Sequence, residues 1–246
     1  MKKRLLLISN STNYNEEYLA WPRNQISDFL NPTGVKRVLF IPYAGVGLSE
    51  ESIENSYNVY EEKVARVFKE LGYELYSIHN EKDPVKAVNE AESIAVGGGN
   101  TFHLVYMMHK TGIMNAIREK ALKGTPYMGW SAGSNVACPS LKTSNDMPII
   151  EPTSFNCLNL IPFQINPHYL DANPEGHGGE TRQQRIEEFL VVNKDMIVAG
   201  LREATSLLVV GNSIKLIGKR PLRVFQFNQE PKEFNPDEDI NFLLKQ

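Results

Sequence analysis

Short apolar runs alternate with amphipathic segments along most of this 246-residue chain. Residues 5–9 and 38–42 are continuous apolar runs, which are typical of parallel strands covered on both faces. Residues 49–71 give the clearest helical pattern, because apolar side chains recur on one face and Gly72 closes the segment. This alternation predicts an α/β fold with a single doubly wound, mostly parallel sheet flanked by helices.

The rest of the chain continues the same pattern. We predict further strands at residues 73–78, 93–96, 127–130, 160–165, 196–200, 205–210 and 213–217. We predict further helices at residues 84–91, 101–109, 114–123 and 181–192, and a weaker one over 16–30 that Pro22 interrupts. No repeat, linker or low-complexity stretch divides these elements, so we expect one domain over residues 1–246.

Charge and composition exclude several kinds of partner. A net charge of −3 and a pI near 6.0 give no basic footprint for nucleic acid or an anionic membrane. No apolar run approaches the roughly 18 residues that a membrane span needs. The basic start leads into an apolar stretch too short for a signal peptide, so it predicts a buried first strand. Cys138 and Cys157 are the only cysteines, and they suit a reducing cytoplasm.

Residues 129–133 read Gly-Trp-Ser-Ala-Gly and lie between a strand pattern and a helical one. This is the Gly-x-Ser-x-Gly pattern of a nucleophile elbow, in which a sharp strand-to-helix turn presents the serine hydroxyl above the sheet. The two glycines permit the tight backbone of that turn. Ser131 is therefore the candidate nucleophile.

Two other segments follow predicted strands, where ligands bind in folds of this kind. The first, residues 97–101, is glycine-rich and is able to point backbone N–H groups at a developing oxyanion. It lacks the lysine and the spacing of a phosphate-binding loop, and a plain structural turn is the other reading. In the second segment, Pro167 stiffens the turn that presents His168, a candidate base.

The other four histidines are weaker candidates for the functional site. His79, His103 and His109 have no local partner pattern and are expected to be surface or packing residues. His177 lies in a glycine-rich loop, where it orders the loop, binds substrate or is simply solvated. Because the chain has no metal-ligand spacing, we expect no catalytic metal.

A catalytic base is itself oriented by a carboxylate or an equivalent group. Asp146 and Glu203 are the two candidates, and either one is also explained as an ordinary turn residue. The order Ser131, Asp146, His168 resembles that of an α/β-hydrolase. Too few residues separate Ser131 from His168 for that fold, so we expect a different fold with the same chemistry.

These motifs together resemble the peptidase E family of α-aspartyl dipeptidases, whose fold is related to class I glutamine amidotransferases. The matching stretches are VGGGNTF (96–102), GWSAG (129–133), TSNDMPI (143–149), QINPH (164–168), PEGH (174–177) and GETRQQR (179–185). They occur in the family's order and cover most of residues 90–205. The resemblance implies a cytoplasmic serine dipeptidase that hydrolyses the α-peptide bond of dipeptides with an N-terminal L-aspartate.

The resemblance also implies roles for individual residues. Ser131 is the nucleophile, His168 the general base, and the Gly99 amide a part of the oxyanion hole. Asp146 or Glu203 is the third member, and we favour Asp146 because it lies between the other two within a matching stretch. We expect small peptide substrates, no cofactor, no nucleic-acid or membrane partner, and a monomer or weak homodimer.

The start of the predicted helix at residues 181–192 indicates the charge of the substrate. Thr181 and Gln184 form a capping-box pattern, which places Arg182 in the first helical turn. A cation there opposes the helix dipole, yet together with the helix N-terminus it attracts an anion such as an aspartyl β-carboxylate. The alternative is a solvated arginine; the resemblance assigns Arg182 to substrate recognition, whereas Arg185 is expected to be a surface charge.

Two rival functions remain. The first is a cyanophycinase-like hydrolase of β-aspartyl linkages. Such hydrolases share the elbow motif, and assays with α- and β-linked aspartyl substrates distinguish them from α-aspartyl dipeptidases. The second is an amidotransferase-like or non-enzymatic binding protein. Amidotransferase chemistry needs cysteine at the elbow, where this chain has Ser131, and Cys138 is expected to be a core residue.

Overall fold

The structure is a computed structural model that describes residues 2–173, 176 and 178–245. The strands within those residues are β1 (Arg4–Ile8), β2 (Arg37–Ile41), β3 (Glu74–Ser77), β4 (Ile94–Val96), β5 (Tyr127–Trp130), β6 (Gln164–Pro167), β7 (Ile197–Leu201), β8 (Thr205–Val210), β9 (Ser213–Gly218), β10 (Leu222–Gln226) and β11 (Lys232–Phe234). The helices within them are α1 (Arg23–Leu30), α2 (Ile53–Glu70), α3 (Pro84–Glu90), α4 (Thr101–Lys110), α5 (Ile113–Leu122), α6 (Ala132–Asn135) and α7 (Arg182–Val192).

Seven strands form the main sheet, in the order β3-β2-β4-β5-β1-β8-β9. The first five are parallel to one another, whereas β8 and β9 add to the β1 edge as antiparallel strands. The predicted α/β class, with a mostly parallel sheet flanked by helices, is confirmed. Because β1, β4 and β5 are parallel neighbours, their carboxyl ends meet at one edge of the sheet.

Both faces of this sheet are covered, which explains the continuous apolar runs. In β1, Leu5 and Leu7 pack in the same core as α3, α4 and α5, while Leu6 and Ile8 pack on the other face with α1 and α2. All four side chains are fully buried. Alternate residues of one strand therefore serve two separate cores, as the two-residue side-chain repeat of a strand requires.

The prediction of a single sheet is wrong. The strands β6 and β7 lie in a second sheet of four strands, in the order β11-β10-β7-β6. Local patterns identify strands but do not specify their partners, and β6 and β7 read as buried strands in either sheet. One side of the second sheet is covered by α7, whose Ile186 and Leu190 pack on Val198 and Phe225. The sequence prediction also missed β10 and β11 altogether.

Helix boundaries follow local stop and start signals. Pro22 interrupts the weak helical pattern over 16–30, and only the part after it, residues 23–30, forms α1. The α2 helix begins after Ser52, whose side chain accepts from the N–H of Asn55 as an N-cap. Among the described residues, no helix is both long enough and apolar enough to cross a bilayer.

Candidate active site

The Ser131 turn has the geometry of a nucleophile elbow. β5 ends one residue before Ser131 and α6 begins one residue after it, and Ser131 itself has φ 53° and ψ −112°. A Cβ atom on Gly129 would overlap the backbone of Gly133, and one on Gly133 would overlap the backbone of Val96. The two glycines of the motif are therefore required by close packing. The Ser131 N–H donates to the carbonyl of Ile8 at 3.0 Å, which ties the elbow to β1.

His168 connects the serine to a carboxylate. Its Nε2 lies 2.9 Å from the Ser131 Oγ, and its Nδ1 lies 3.1 Å from Glu203 Oε1. The second sheet brings His168 and Glu203 together. Its strands β6 and β7 are parallel neighbours, and Pro167, the residue before His168, pairs with Leu201, two residues before Glu203. The arrangement fits an imidazole whose Nδ1–H donates to the carboxylate and whose Nε2 accepts from the serine hydroxyl.

The sequence favoured Asp146 as the carboxylate that orients His168, and the structure contradicts that choice. Asp146 Oδ2 accepts hydrogen bonds from the Thr101 N–H at 2.7 Å, the Thr101 hydroxyl at 2.5 Å and the Ser144 hydroxyl at 3.1 Å. These bonds place its negative charge at the N-terminus of α4, where the helix dipole favours it. Asp146 therefore ties its loop to the end of the glycine-rich loop, and Glu203 is the carboxylate on the histidine.

Gly99 lies in a loop that contacts the Ser131 elbow. The loop packs directly on the elbow, since a Cβ atom on Gly98 would lie 2.9 Å from the Ser131 Cβ. Gly99 has φ 132°, and a Cβ there would overlap the carbonyl of Ala44, so only glycine fits. Among the described residues, neither the Gly99 N–H nor the Ala132 N–H has a hydrogen-bond acceptor. Both donors are free for a ligand oxygen.

Three of the seven non-glycine residues with positive φ among the described residues lie in the turns that carry Ser131, His168 and Glu203. Ser131, His168 and Ala204 all have positive φ, at 53°, 52° and 60°. The first two are the serine and the histidine, and the third directly follows Glu203. Non-glycine residues in this region cost about 1–3 kcal/mol each, and they persist where surrounding contacts fix them.

Two of those fixing contacts come from residues that the sequence analysis did not select. The Ser9 hydroxyl accepts from the His168 N–H at 3.1 Å and donates to the Leu201 carbonyl at 2.8 Å. Asn10 Oδ1 accepts from the Ala204 N–H at 2.9 Å. Both side chains are fully buried. The available signal was a pair of polar residues directly after an apolar strand, at the edge where ligands bind.

A cleft of about 450 Å³ opens beside Ser131 and His168. Its other walls are Ser11, Tyr18, residues 44–48, Tyr60, Lys63 and residues 98–100. A cavity of about 710 Å³ lies near the amino ends of β1 and β5, and its described lining contains no serine, cysteine or histidine. The smaller cleft is the candidate active site, because Ser131, His168 and Gly99 line it together.

Arg182 lies at the start of α7, and it is not among the residues that line the cleft. Thr181 and Gln184 make the expected capping box, and Arg182 is the first residue of α7. Its guanidinium donates to Asn145 Oδ1 at 2.6 Å, and the Asn145 side chain donates to the Pro167 carbonyl at 2.7 Å. Two hydrogen bonds through the Asn145 side chain therefore connect Arg182 to the backbone of Pro167, the residue before His168.

The charge around Arg182 is not balanced. The residue lines a cavity of about 150 Å³ together with Lys142, Arg185 and Asp146. Burial lowers the pKa of Arg182, the nearby Arg185 lowers it further, and Asp146 opposes both effects. Arginine nevertheless stays protonated. Arg185 pairs with Glu180 at 3.6 Å with both side chains more than half exposed, as expected for a surface charge.

The other residues that the sequence analysis weighed are not at this site. His103 is buried and its Nδ1 lies 2.7 Å from the Tyr43 carbonyl, while His79 and His109 hydrogen-bond elsewhere. Cys138 is fully buried beyond α6, and burial raises the pKa of its thiol to about 12. His177 lies outside the described residues.

Comparison with known proteins identifies the family. The model of peptidase family S51 matches residues 5–217. A protein named Peptidase E from Nostoc sp. (strain PCC 7120) is 51% identical over 245 residues, which cover 100% of this chain and 98% of that protein. A protein of the same name from Pasteurella multocida is 42% identical over 228 residues, which cover 93% of this chain and 94% of that protein.

Two solved structures share the fold. A peptidase from an acI-B1 Actinobacterium has a TM-score of 0.70 at 20% identity, and the match covers 98% of this chain and 97% of that one. A putative Peptidase E protein from Listeria monocytogenes has a TM-score of 0.62 at 21% identity, covering 89% of this chain and 99% of that one.

Proposed function

This chain belongs to peptidase family S51 and is a serine-type dipeptidase, and we propose that it hydrolyses dipeptides whose N-terminal residue is L-aspartate. The observation that carries the proposed mechanism is the hydrogen-bonded series Ser131–His168–Glu203. A serine hydroxyl is a weak nucleophile until an adjacent base accepts its proton, and the base needs a partner that fixes its tautomer.

In the proposed first step, Ser131 Oγ bonds to the scissile carbonyl carbon while His168 Nε2 takes the hydroxyl proton. The carbonyl oxygen becomes an oxyanion, which the Gly99 N–H and the Ala132 N–H stabilise. Glu203 remains ionised and stabilises the imidazolium. When the tetrahedral intermediate collapses, the C–N bond breaks and the leaving amine takes the proton from His168, which leaves an aspartyl ester on Ser131.

In the second step a water molecule attacks that ester. His168 accepts a proton from the water, and the same backbone donors hold the second oxyanion. Collapse breaks the bond to Ser131 Oγ, which recovers its proton from His168, and free aspartate leaves. The enzyme is restored without any cofactor.

The preference for aspartate is supported by the unbalanced charge at Arg182. A guanidinium binds a carboxylate through two parallel hydrogen bonds, and the N-terminus of α7 favours the same negative charge. Arg182 has no carboxylate hydrogen-bonded to it among the described residues, only Asn145. The aspartyl β-carboxylate supplies the missing partner. A reducing cytoplasm is the proposed location, since Cys138 and Cys157 are both free and buried.

A kinetic panel of dipeptides tests this proposal. We expect Asp-Leu to be hydrolysed with a kcat/KM at least tenfold above those of Asn-Leu, Glu-Leu and β-Asp-Leu. Ser131→Ala should fold normally and lose nearly all turnover. A higher kcat/KM for β-Asp-Leu would replace the proposal with the cyanophycinase-like function. Near-normal activity of folded Ser131→Ala would remove the serine mechanism.

A further inference from the structure

The peptide bond between Gly98 and Gly99 links the proposed oxyanion site to a buried tyrosine. The Tyr60 hydroxyl donates to the carbonyl oxygen of Gly98 at 3.0 Å. The N–H at the other end of this peptide bond is that of Gly99. Because a peptide unit is planar, the direction of its carbonyl fixes the direction of its N–H.

The hydroxyl of Tyr60 has no remaining bonding capacity for any other role. Its oxygen accepts from the Trp130 indole N–H at 3.0 Å and from the Tyr18 hydroxyl at 3.0 Å. A phenol has one proton to donate, and both neighbours donate to it, so that proton goes to Gly98. Burial raises the pKa of Tyr60, which keeps the hydroxyl protonated.

Packing holds the Tyr60 ring in this position. The side chain is only 4% exposed and packs edge-on to Phe40 with ring centres 5.0 Å apart. A Cβ atom on Gly97 would lie 2.7 Å from the tyrosine oxygen, and one on Gly45 would lie 2.5 Å from the ring. Two glycines therefore make room for this ring beneath the loop.

The same series of hydrogen bonds begins at the residue next to the nucleophile. Trp130 is the residue before Ser131, so its indole N–H starts a chain that runs through Tyr60 to the Gly98–Gly99 peptide. Consecutive hydrogen bonds polarise one another, and a peptide whose carbonyl accepts a strong donor has a more positive N–H. The chain thus aligns the Gly99 N–H and strengthens it as a donor.

We propose that Tyr60 is a positioning residue for the oxyanion hole, acting through the Gly98 carbonyl on the Gly99 N–H without donating a hydrogen bond to substrate. This inference rests on the proposed mechanism at Ser131. It does not depend on the identity of the substrate, since every carbonyl or phosphoryl group attacked by Ser131 places an oxygen in the same site.

Tyr60→Phe tests the inference, because it retains the ring and removes only the hydroxyl. We expect kcat for Asp-Leu to fall at least tenfold with KM unchanged within twofold, since an oxyanion contact exists only in the transition state. Tyr73→Phe is the matched control. That tyrosine is 7% exposed and loses one hydrogen bond, to Asn31 at 2.8 Å, away from the cleft.

A second measurement separates this inference from the proposed specificity. A fluorophosphonate phosphonylates Ser131 whatever the natural substrate, and intact mass follows the rate. We expect Tyr60→Phe to slow phosphonylation at least fivefold relative to Tyr73→Phe. Equal rates in the two variants would overturn the inference. If wild type cleaves no Asp-X dipeptide but its phosphonylation still depends on Tyr60, the specificity proposal fails and this inference stands.

A variant with 4-aminophenylalanine at position 60 keeps the test decisive if Tyr60→Phe does not fold. The amine has the same reach but is a weaker donor than a phenol. We expect its phosphonylation rate to be three- to tenfold below that of wild type, with an unchanged KM for Asp-Leu. A phosphonylation rate equal to that of wild type would show that the hydrogen bond donated to Gly98 does not matter. A KM for Asp-Leu that rises by the same factor as the rate falls would show the same.

Discussion

Ser9 holds the backbone of His168: its hydroxyl accepts from the His168 N–H at 3.1 Å and donates to the Leu201 carbonyl at 2.8 Å. A buried hydroxyl at the end of β1 therefore joins the ends of β6 and β7, two strands of the other sheet. Asn10 adds a similar bond to the Ala204 N–H, next to Glu203. The catalytic turns are thus fixed from the main sheet, whose end also anchors the Ser131 elbow.

Removing that hydroxyl should misplace the histidine. We predict that Ser9→Ala lowers kcat about tenfold and destabilises the protein by about 1–3 kcal/mol, because the partly buried His168 N–H and the Leu201 carbonyl both lose their hydrogen-bond partner. Ser93→Ala is the control, since Ser93 is equally buried and donates to the Pro126 carbonyl at the other end of the main sheet. Urea unfolding and kcat are the measurements. Equal kcat values in the two variants would contradict the prediction.

Glu203 should matter more to catalysis than Asp146. Glu203→Gln lets an amide N–H face Nδ1 and so favours the wrong imidazole tautomer, as in other triads. We predict a kcat at least 100-fold below wild type for Glu203→Gln and a smaller loss for Asp146→Asn, which weakens the bonds to Thr101. Steady-state kinetics of the two folded variants check this, and the reverse ranking would return the role to Asp146.

The elbow and His168 could be predicted from sequence because their signals are local. A glycine pattern between a strand and a helix specifies the turn at Ser131, and Pro167 marks the end of β6. Glu203 could not be chosen over Asp146, since its contact depends on the register in which Pro167 pairs with Leu201. Strand partners are set by tertiary packing. That is also why one sheet was expected and two are present.

The ion pair between Arg202 and Asp171 joins the turn that contains Glu203 to the segment that follows His168. This ion pair should contribute stability that is lost in acid. Arg202 is 7% exposed and donates to Asp171 at 2.5 and 2.9 Å, and these bonds lower the pKa of Asp171. A lowered carboxyl pKa contributes stability that is present above the unfolded value, 3.8, and is lost as pH falls through the folded value.

We therefore predict that Asp171→Asn is less stable than wild type at pH 5–7, by about 1 kcal/mol because Asp171 is partly exposed. The difference should shrink steadily below about pH 4, where wild type also loses the charge. Urea unfolding from pH 3 to pH 7 measures it, with the exposed Asp28→Asn as the control. A difference that stays constant down to pH 3 would exclude the ion pair as its cause.

Arg182 should determine the preference for aspartate. We predict that Arg182→Lys and Arg182→Ala both lower kcat/KM for Asp-Leu at least tenfold, about 1.4 kcal/mol, since lysine cannot form the two parallel hydrogen bonds of a guanidinium. The ratio of kcat/KM for Asp-Leu to that for Asn-Leu should approach one in Arg182→Ala, because one charge-assisted contact produces it.

Arg185→Ala is the matched control for this prediction. It removes a positive charge three residues along the same helix, but its partner is Glu180 on the surface. The Asp-Leu to Asn-Leu ratio should therefore stay near its wild-type value. Glu-Leu should be a poor substrate for wild type, because its extra methylene moves the scissile carbonyl away from Ser131 while the carboxylate stays on the arginine. If Arg182→Ala retains the preference for Asp-Leu and Arg185→Ala loses it, the carboxylate binds at Arg185, one turn further along α7.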